Sequence, residues 1–294
     1  MVGEPEQRDI ETLVARVIRD LAKPEPPLNL DEVRTLLALD RHYYSSTDVG
    51  LFEEFAHRIK KGGRMLKINA REQVRQVLER AGLTGLWVPD GRKIFVDQDS
   101  PEKKHRWIET HEIAHSLIPW HQEFLMGDDE LTLDPACHEV IEAEANFGAG
   151  RLLFLGARFA EEARSLPPTF KSVQSLSDRF KNSLKSTFWR FVEDRDPSSL
   201  MVGLIGPHPK KVGEVRNTKP VESILVASDE FRKRFGNITR DDLQALVRKH
   251  ATFKQRGPVF EVADTLTDVN GVRKTFAFEG FCNTYDLMTL GFTT

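Results

Sequence analysis

Residues 111 to 115 read His-Glu-Ile-Ala-His, and no other stretch of the chain so narrows what it can become. Side chains four apart on a helix point the same way, so His111 and His115 can offer two imidazole nitrogens to one ion at about 2.0–2.1 Å. Glu112 is rotated to the rim of that face. It misses the ion and reaches a water beside it, which is where a general base for metal-assisted hydrolysis belongs. Shuffling this composition would produce H-E-x-x-H roughly once in forty chains, so the surrounding sequence has to decide between a site and a solvated helix with two incidental histidines.

The surroundings favour the site. In "GLWVPDGRKIFVDQDS" apolar residues flank the turn signal "PDG", so Trp87 and Val88 are expected to pair with Ile94, Phe95 and Val96 in a hairpin. Ser100 as N-cap, Pro101 at the first helical position and Glu102 in the first turn then start a helix upstream of the histidines. Pro119 ends it near its predecessor, and "GDDELTLDP" is an acidic loop into a second helix, "ACHEVIEAEANFGAGRLLF".

Two residues compete to be the third ligand. His121 stands ten positions after His111, a spacing that elsewhere uses a glycine to turn the chain back toward the ion. Ile118 holds the glycine position here and Pro119 follows; neither adopts a positive φ easily. Glu142 on the second helix is preferred, because two histidines and a glutamate with a fourth position open form a recognised catalytic zinc arrangement. Asn146, four residues on, is placed to hydrogen-bond a ligating imidazole and fix its tautomer. His138 shares a face with Glu142 and could donate to a developing oxyanion, against the plainer reading of a surface or structural histidine. Glu139 and Glu144 are expected to be solvated or to lie behind the ligands, and Cys137 to be a buried free thiol.

With 294 residues and 39% hydrophobic content the chain can bury more than one core. An amphipathic helix, "DIETLVARVIRDLA", stops at "KPEPP", and Asp31 opens "DEVRTLLAL". Beyond "LPPTF" comes a helical segment, "SVQSLSDRFKNSLKSTFWRFVED", then the linker "DRDPSS" and a tail of strand-like runs ("LMVGLIG", "SILVAS", "KTFAFEGF") with a helix-like "TRDDLQALVRKHATF". The expectation is an α+β protein in three parts: residues 1–160, 161–195 and 200–294.

The opening residues carry charges throughout and show no apolar core of a secretory signal, and no run could span a bilayer. The two cysteines, Cys137 and Cys282, suggest no disulfide framework, so a cytoplasmic protein without membrane contact is expected. A net charge of −3 gives no global footprint for nucleic acid. Locally, Lys171, Arg179, Lys181, Lys185 and Arg190 accompany an apolar stripe of Phe180, Leu184, Phe188 and Phe191. Asp178 and Glu193 dilute that charge, so the stripe is read as packing, and direct DNA contact is not favoured. The basic run "PHPKKVGEVRNTK" is read as a solvated loop.

The hairpin "GLWVPDGRKIFVDQD", then "WIETHEIAHSLI", "VIEAEANFGAGRLL" and "LSDRFKNSLKSTFWRFVE", roughly residues 25 to 195, resemble the ImmA/IrrE-type metallopeptidases of bacteria. Ala114 replaces a glycine common in that family, and "LLFLG" replaces a methionine-proline end to the second helix. The resemblance implies a zincin-like peptidase domain, a small helix-turn-helix-like segment and, in some members, a GAF-like sensor domain, for which the tail has suitable size. It implies zinc held by His111, His115 and Glu142, with Glu112 as catalytic acid/base. It also implies a protein substrate, a helix-turn-helix repressor whose cleavage releases stress-response or mobile-element genes. The rival class is a regulatory DNA- or protein-binding module whose metal is structural or whose peptidase site is vestigial.

Overall fold

A computed structural model describes residues 2–44, 84–88, 91–121, 135–207, 223–252 and 254–293, apart from the side chains of Lys103 and residues 135–138. The chain divides into two compact units, Met1–Gly156 and Ala157–Thr294, each with helices and its own sheet. The architecture is α+β. The helical pair expected over 161–195 belongs to the second unit together with the tail.

The first unit begins with α1 (Glu4–Asp20), whose Ile10, Val14 and Val17 recur at helical spacing and are buried. α2 (Leu30–Leu37) follows, capped by the Asn29 side chain, which accepts from Asp31 N. Three strands come next, β1 (Asp40–Tyr44), β2 (Gly85–Val88) and β3 (Lys93–Asp97), ordered β1-β3-β2. β2 and β3 form the antiparallel pair expected from the alternation, with Trp87 opposite Ile94 and Leu86 opposite Phe95. The turn residues Pro89 and Asp90 lie outside the described residues. β1 runs parallel to β3, a pairing the sequence did not announce.

Helix α3 (Glu102–Leu117) carries the histidines and packs on β2 and β3; α4 (Pro135–Leu153) packs on α3 and α1. The start of α3 departs from expectation by one residue: Pro101 occupies the N-cap position, and Ser100 Oγ donates to Asp97 Oδ2 at 3.0 Å instead of capping. At the other end Ile118 is extended (φ −88°, ψ 108°), as the residue before a proline must be. The acidic loop between α3 and α4 lies outside the described residues.

In the second unit α5 (Ala157–Arg164), α6 (Phe170–Phe180) and α7 (Leu184–Asp194) precede a five-stranded antiparallel sheet. Its strands are β4 (Met201–Gly206), β5 (Ile224–Ala227), β6 (Gly257–Thr267), β7 (Arg273–Cys282) and β8 (Leu287–Phe292), in the order β5-β4-β8-β7-β6. Between β5 and β6 lie α8 (Asp229–Arg234) and α9 (Arg240–His250), the latter opened by a reciprocal Thr239/Asp242 capping box. Phe231, Phe235, Leu243 and Val247 from these helices share a core with Val202, Leu204, Phe276 and Phe278 of the sheet. The other face of β4 takes α7, whose Phe188 ring comes so close to Gly203 that an added Cβ would lie 2.7 Å from it. The run 208–222, which includes most of the basic stretch, is outside the described residues.

Candidate metal centre

α3 and α4 approach closely because small residues line their seam. Ala114 on α3 clusters with Ala145 and Ala149 on α4, and a Cβ added to Gly148 would stand 3.3 Å from Ala114 Cβ. Short side chains let two helix backbones come together, and that closeness lets a glutamate of α4 reach the histidines of α3.

His111 Nε2 and His115 Nε2 are 3.1 Å apart. Glu142 Oε2 is 3.1 Å from His111 Nε2, and Glu142 Oε1 is 3.5 Å from His115 Nε2. Ligands held tetrahedrally at about 2.0–2.1 Å from one ion stand about 3.3 Å from each other, so these separations suit a face of such a coordination shell. Among the described residues His111, His115 and Glu142 are the group able to hold a metal ion. The donor set, two imidazoles and one carboxylate, suits a first-row divalent ion. The separations therefore fit a metal, with a fourth direction left to something other than these three side chains.

The site is electrostatically paired even without an ion. Hydrogen bonds from His111 and His115 hold the Glu142 carboxyl far below its ordinary range, against the upward push of burial. Burial would lower His111, yet Glu142 and Glu112 outweigh it and the net shift is upward. Glu112 is buried against β2; burial raises its carboxyl, His111 pulls it down, the nearby Glu142 charge raises it and the Trp87 backbone N–H lowers it, leaving it pushed up to about 8. A carboxyl poised near neutrality beside a metal-binding face can both take up and give back a proton.

Asn146 Oδ1 lies 3.1 Å from His111 Nδ1, on the side of the ring away from Glu142. His121 follows a turn that needs no glycine, the extended Ile118 and a bond from His121 N to Ile118 O (3.1 Å). That turn brings His121 behind His115, not into the site: its Nδ1 is 3.0 Å from His115 Nδ1, on the ring edge opposite Nε2. It therefore does not join the three ligand atoms. Glu144, fully buried, accepts from Trp120 Nε1 at 2.7 Å and lies 2.9 Å from His121 Nε2. Burial holds His121 down at about 4, despite Glu144. Glu139 is exposed. His138 and Cys137 stand in the first turn of α4, where side chains are outside the described residues.

Sequence reasoning missed what β2 contributes. A Cβ on Gly85 would lie 2.6 Å from Glu112 Oε1 and 2.6 Å from Ile108 Cγ2, so a glycine is what makes room for the Glu112 carboxyl there. Glu109 was also overlooked: buried on α3, it accepts from Arg34 Nε of α2 and Arg41 Nη1 of β1, both at 2.7 Å, and so ties the histidine-bearing helix to its neighbours.

No family model matches this chain, and no curated protein matches it. A solved structure of a Mycobacterium tuberculosis transcriptional regulator is similar at 11% identity and a TM-score of 0.49, covering 97% of this chain and 87% of that one. No helix among the described residues is long and apolar enough to cross a membrane.

Proposed function

We propose that this chain is a zinc-dependent endopeptidase of the ImmA/IrrE type that hydrolyses a peptide bond in a regulatory protein. The observation that carries the reading is the convergence of His111, His115 and Glu142 from two helices to separations of 3.1 to 3.5 Å. Around it, the Glu112 carboxyl is held in a glycine-lined niche of β2. The order of hairpin, histidine helix, glutamate helix and helical pair supports the zincin-like and ImmA/IrrE reading given by the motifs. Among the described residues three side chains converge as ligands, where a structural zinc site ordinarily has four, which favours catalysis over scaffolding.

When bound, zinc supplies Lewis-acid chemistry, polarising a carbonyl and lowering the pKa of a water toward ~7. His111, His115 and Glu142 hold it, and Asn146 orients the His111 ring. Glu112 takes a proton from the attacking water as the new C–O bond forms. The same carboxyl then returns the proton to the leaving amine nitrogen as the C–N bond breaks. The Trp87 backbone N–H keeps that carboxyl in place between the two transfers.

The substrate class follows from the resemblance alone: a helix-turn-helix repressor, whose loss would release stress-response or mobile-element genes. The five-stranded antiparallel sheet flanked by helices supports a GAF-like, sensory reading of the tail. The rival reading, a DNA-binding regulator, loses support at α7. Every residue of that helix is buried or half-buried, and Arg179, Lys185 and Arg190 are paired with Glu162, Asp286 and Asp194.

The test pairs elemental analysis with cleavage of candidate helix-turn-helix repressors. Wild type is expected to hold one zinc and to cut, Glu112→Gln to hold zinc without cutting, and Glu142→Ala to lose zinc. Loss of zinc from Glu112→Gln would make that residue a ligand and overturn the assignment. Full retention of zinc by Glu142→Ala would remove the two-helix site.

A further inference from the structure

In the second unit, the hairpin between β6 and β7 ends in an apolar crest that peptide hydrolysis does not call on. Val269 and Val272 are 54% and 53% exposed. Between them Gly271 (φ +80°) marks the summit, where an added Cβ would meet no atom within 4 Å. We infer that this tip, with the cations behind it, docks peripherally on the anionic face of a lipid bilayer.

A loop that leaves water for an apolar layer has to keep its backbone donors satisfied. Here the amides of residues 268 to 272 are all bonded inside the protein. Asp268 N donates to Val272 O at 2.9 Å, Val269 N to Arg234 O at 3.0 Å and Gly271 N to Asp268 O at 3.0 Å. Asn270 N and Val272 N both donate to Asp268 Oδ1 at 2.9 Å. The Asp268 side chain is 2% exposed, and its other oxygen accepts from Arg234 Nη2 at 3.3 Å. The one acid between Thr267 and Lys274 is therefore buried and paired, so the crest holds no charge that would repel an anion. The same bonds brace the turn and keep both valines turned out.

The charge behind the crest is positive. Arg273 and Lys274 follow Val272, and Lys233 precedes the Arg234 whose carbonyl holds Val269. Lys233 and Arg273 are exposed, and Lys233, Arg273 and Lys274 have no ion pair among the described residues. Apolar side chains in front and cations behind match a bilayer surface, where the first enter the acyl boundary and the second stay at the phosphates. A summit offers no groove to enclose a peptide, whereas a bilayer deforms around it; this favours lipid over an acidic protein segment. Exposed Asn270 keeps the contact shallow. The net charge of −3 does not oppose it, because charges beyond about 8 Å are screened at physiological salt. No membrane contact was expected from a sequence without a spanning run, but a peripheral contact needs no span.

The test is co-sedimentation of the full chain with vesicles of phosphatidylcholine and phosphatidylglycerol in equal parts, set against vesicles of phosphatidylcholine alone. Wild type is expected to sediment with the anionic vesicles, to stay in solution with the neutral ones, and to be released as salt is raised. The double variant Val269→Ser/Val272→Ser, confined to exposed side chains, should weaken partitioning at least about tenfold with its melting temperature unchanged. Lys233→Gln/Arg273→Gln should weaken it about fivefold per charge removed. Failure of wild type to bind the anionic vesicles overturns the inference, as does equal binding to both kinds of vesicle or wild-type binding by the valine variant. If the valine variant loses its fold, undiminished binding by the charge variant overturns it instead. Retardation of duplex DNA or capture of polyglutamate without vesicle binding would give the tip to another partner and overturn it equally. None of these readouts involves zinc, so their failure leaves the metal-site reading standing.

Discussion

Gly85 and Glu112 show how closely a strand backbone can approach a buried carboxyl. Gly85→Ala would place a methyl 2.6 Å from Glu112 Oε1 and from Ile108 Cγ2, so one of them must move. We expect about 1–3 kcal/mol of destabilisation by thermal melting, a drop in repressor cleavage of at least about tenfold, and unchanged zinc content, because no ligand is touched. Unchanged cleavage with an intact melting temperature would mean that the Glu112 carboxyl does not need this niche. Gly85 could not be singled out in the sequence, where it reads as one more residue ahead of an apolar run. Its significance comes from a helix crossing over it.

At the scale of elements, what matters is how α3 is held. Ala114, Ala145 and Ala149 set the distance between α3 and α4. Ala149→Leu is expected to push the helices apart, costing about 1–3 kcal/mol and weakening zinc binding by chelator competition, although residue 149 is two turns from Glu142. Wild-type zinc affinity in that variant would show that the seam tolerates bulk. Glu109 ties α3 to α2 and β1 through Arg34 and Arg41, and Glu109→Gln should cost up to about 3 kcal/mol in chemical denaturation by stranding two half-buried guanidinium groups. In the second unit Glu162 joins α5 to α6, accepting from Arg158 Nε and Arg179 Nη2 at 3.0 Å each. These arginines, Arg179 first, hold its carboxyl below the ordinary 4.5. A depressed folded-state value means stability that is present above 4.5 and lost as pH falls through the folded value. Wild type should therefore outlast Glu162→Gln in urea at about pH 6, and the difference should shrink steadily as the pH is taken below 4.5 and the Glu162 carboxylate takes up its proton. The amphipathic faces of α1, α2 and α9 were legible in the sequence because each depends on neighbours within four residues, whereas the cap of α2 is Asn29, two residues before the Asp31 that reads as cap or first-turn acid. β1, "DRHYY", was not, because its partner β3 lies about fifty residues on and the pairing is parallel.

For the whole molecule, the division into two units with separate cores predicts two calorimetric transitions. Chelation of the metal should lower the transition of Met1–Gly156 and leave that of Ala157–Thr294 in place, since a ligand stabilises only what it binds. A single transition shifted as a whole would contradict independent cores. The composition set limits at this scale, with its small net negative charge and two cysteines, but it named neither partner nor substrate. By itself the sequence determined the helix with His111 and His115 on one face, the hairpin before it and the helix after it, because periodicity, turns and caps act over a few residues. Only the tertiary structure decided that Glu142 faces the imidazoles while Glu139 faces solvent and Glu144 faces inward, three acids within six positions of one helix. It likewise put His121 behind His115 instead of beside it. The reason is physical: spacing along a chain fixes which side chains share a face, whereas metal reach is a distance through space, set by how closely the alanine seam lets two helices approach.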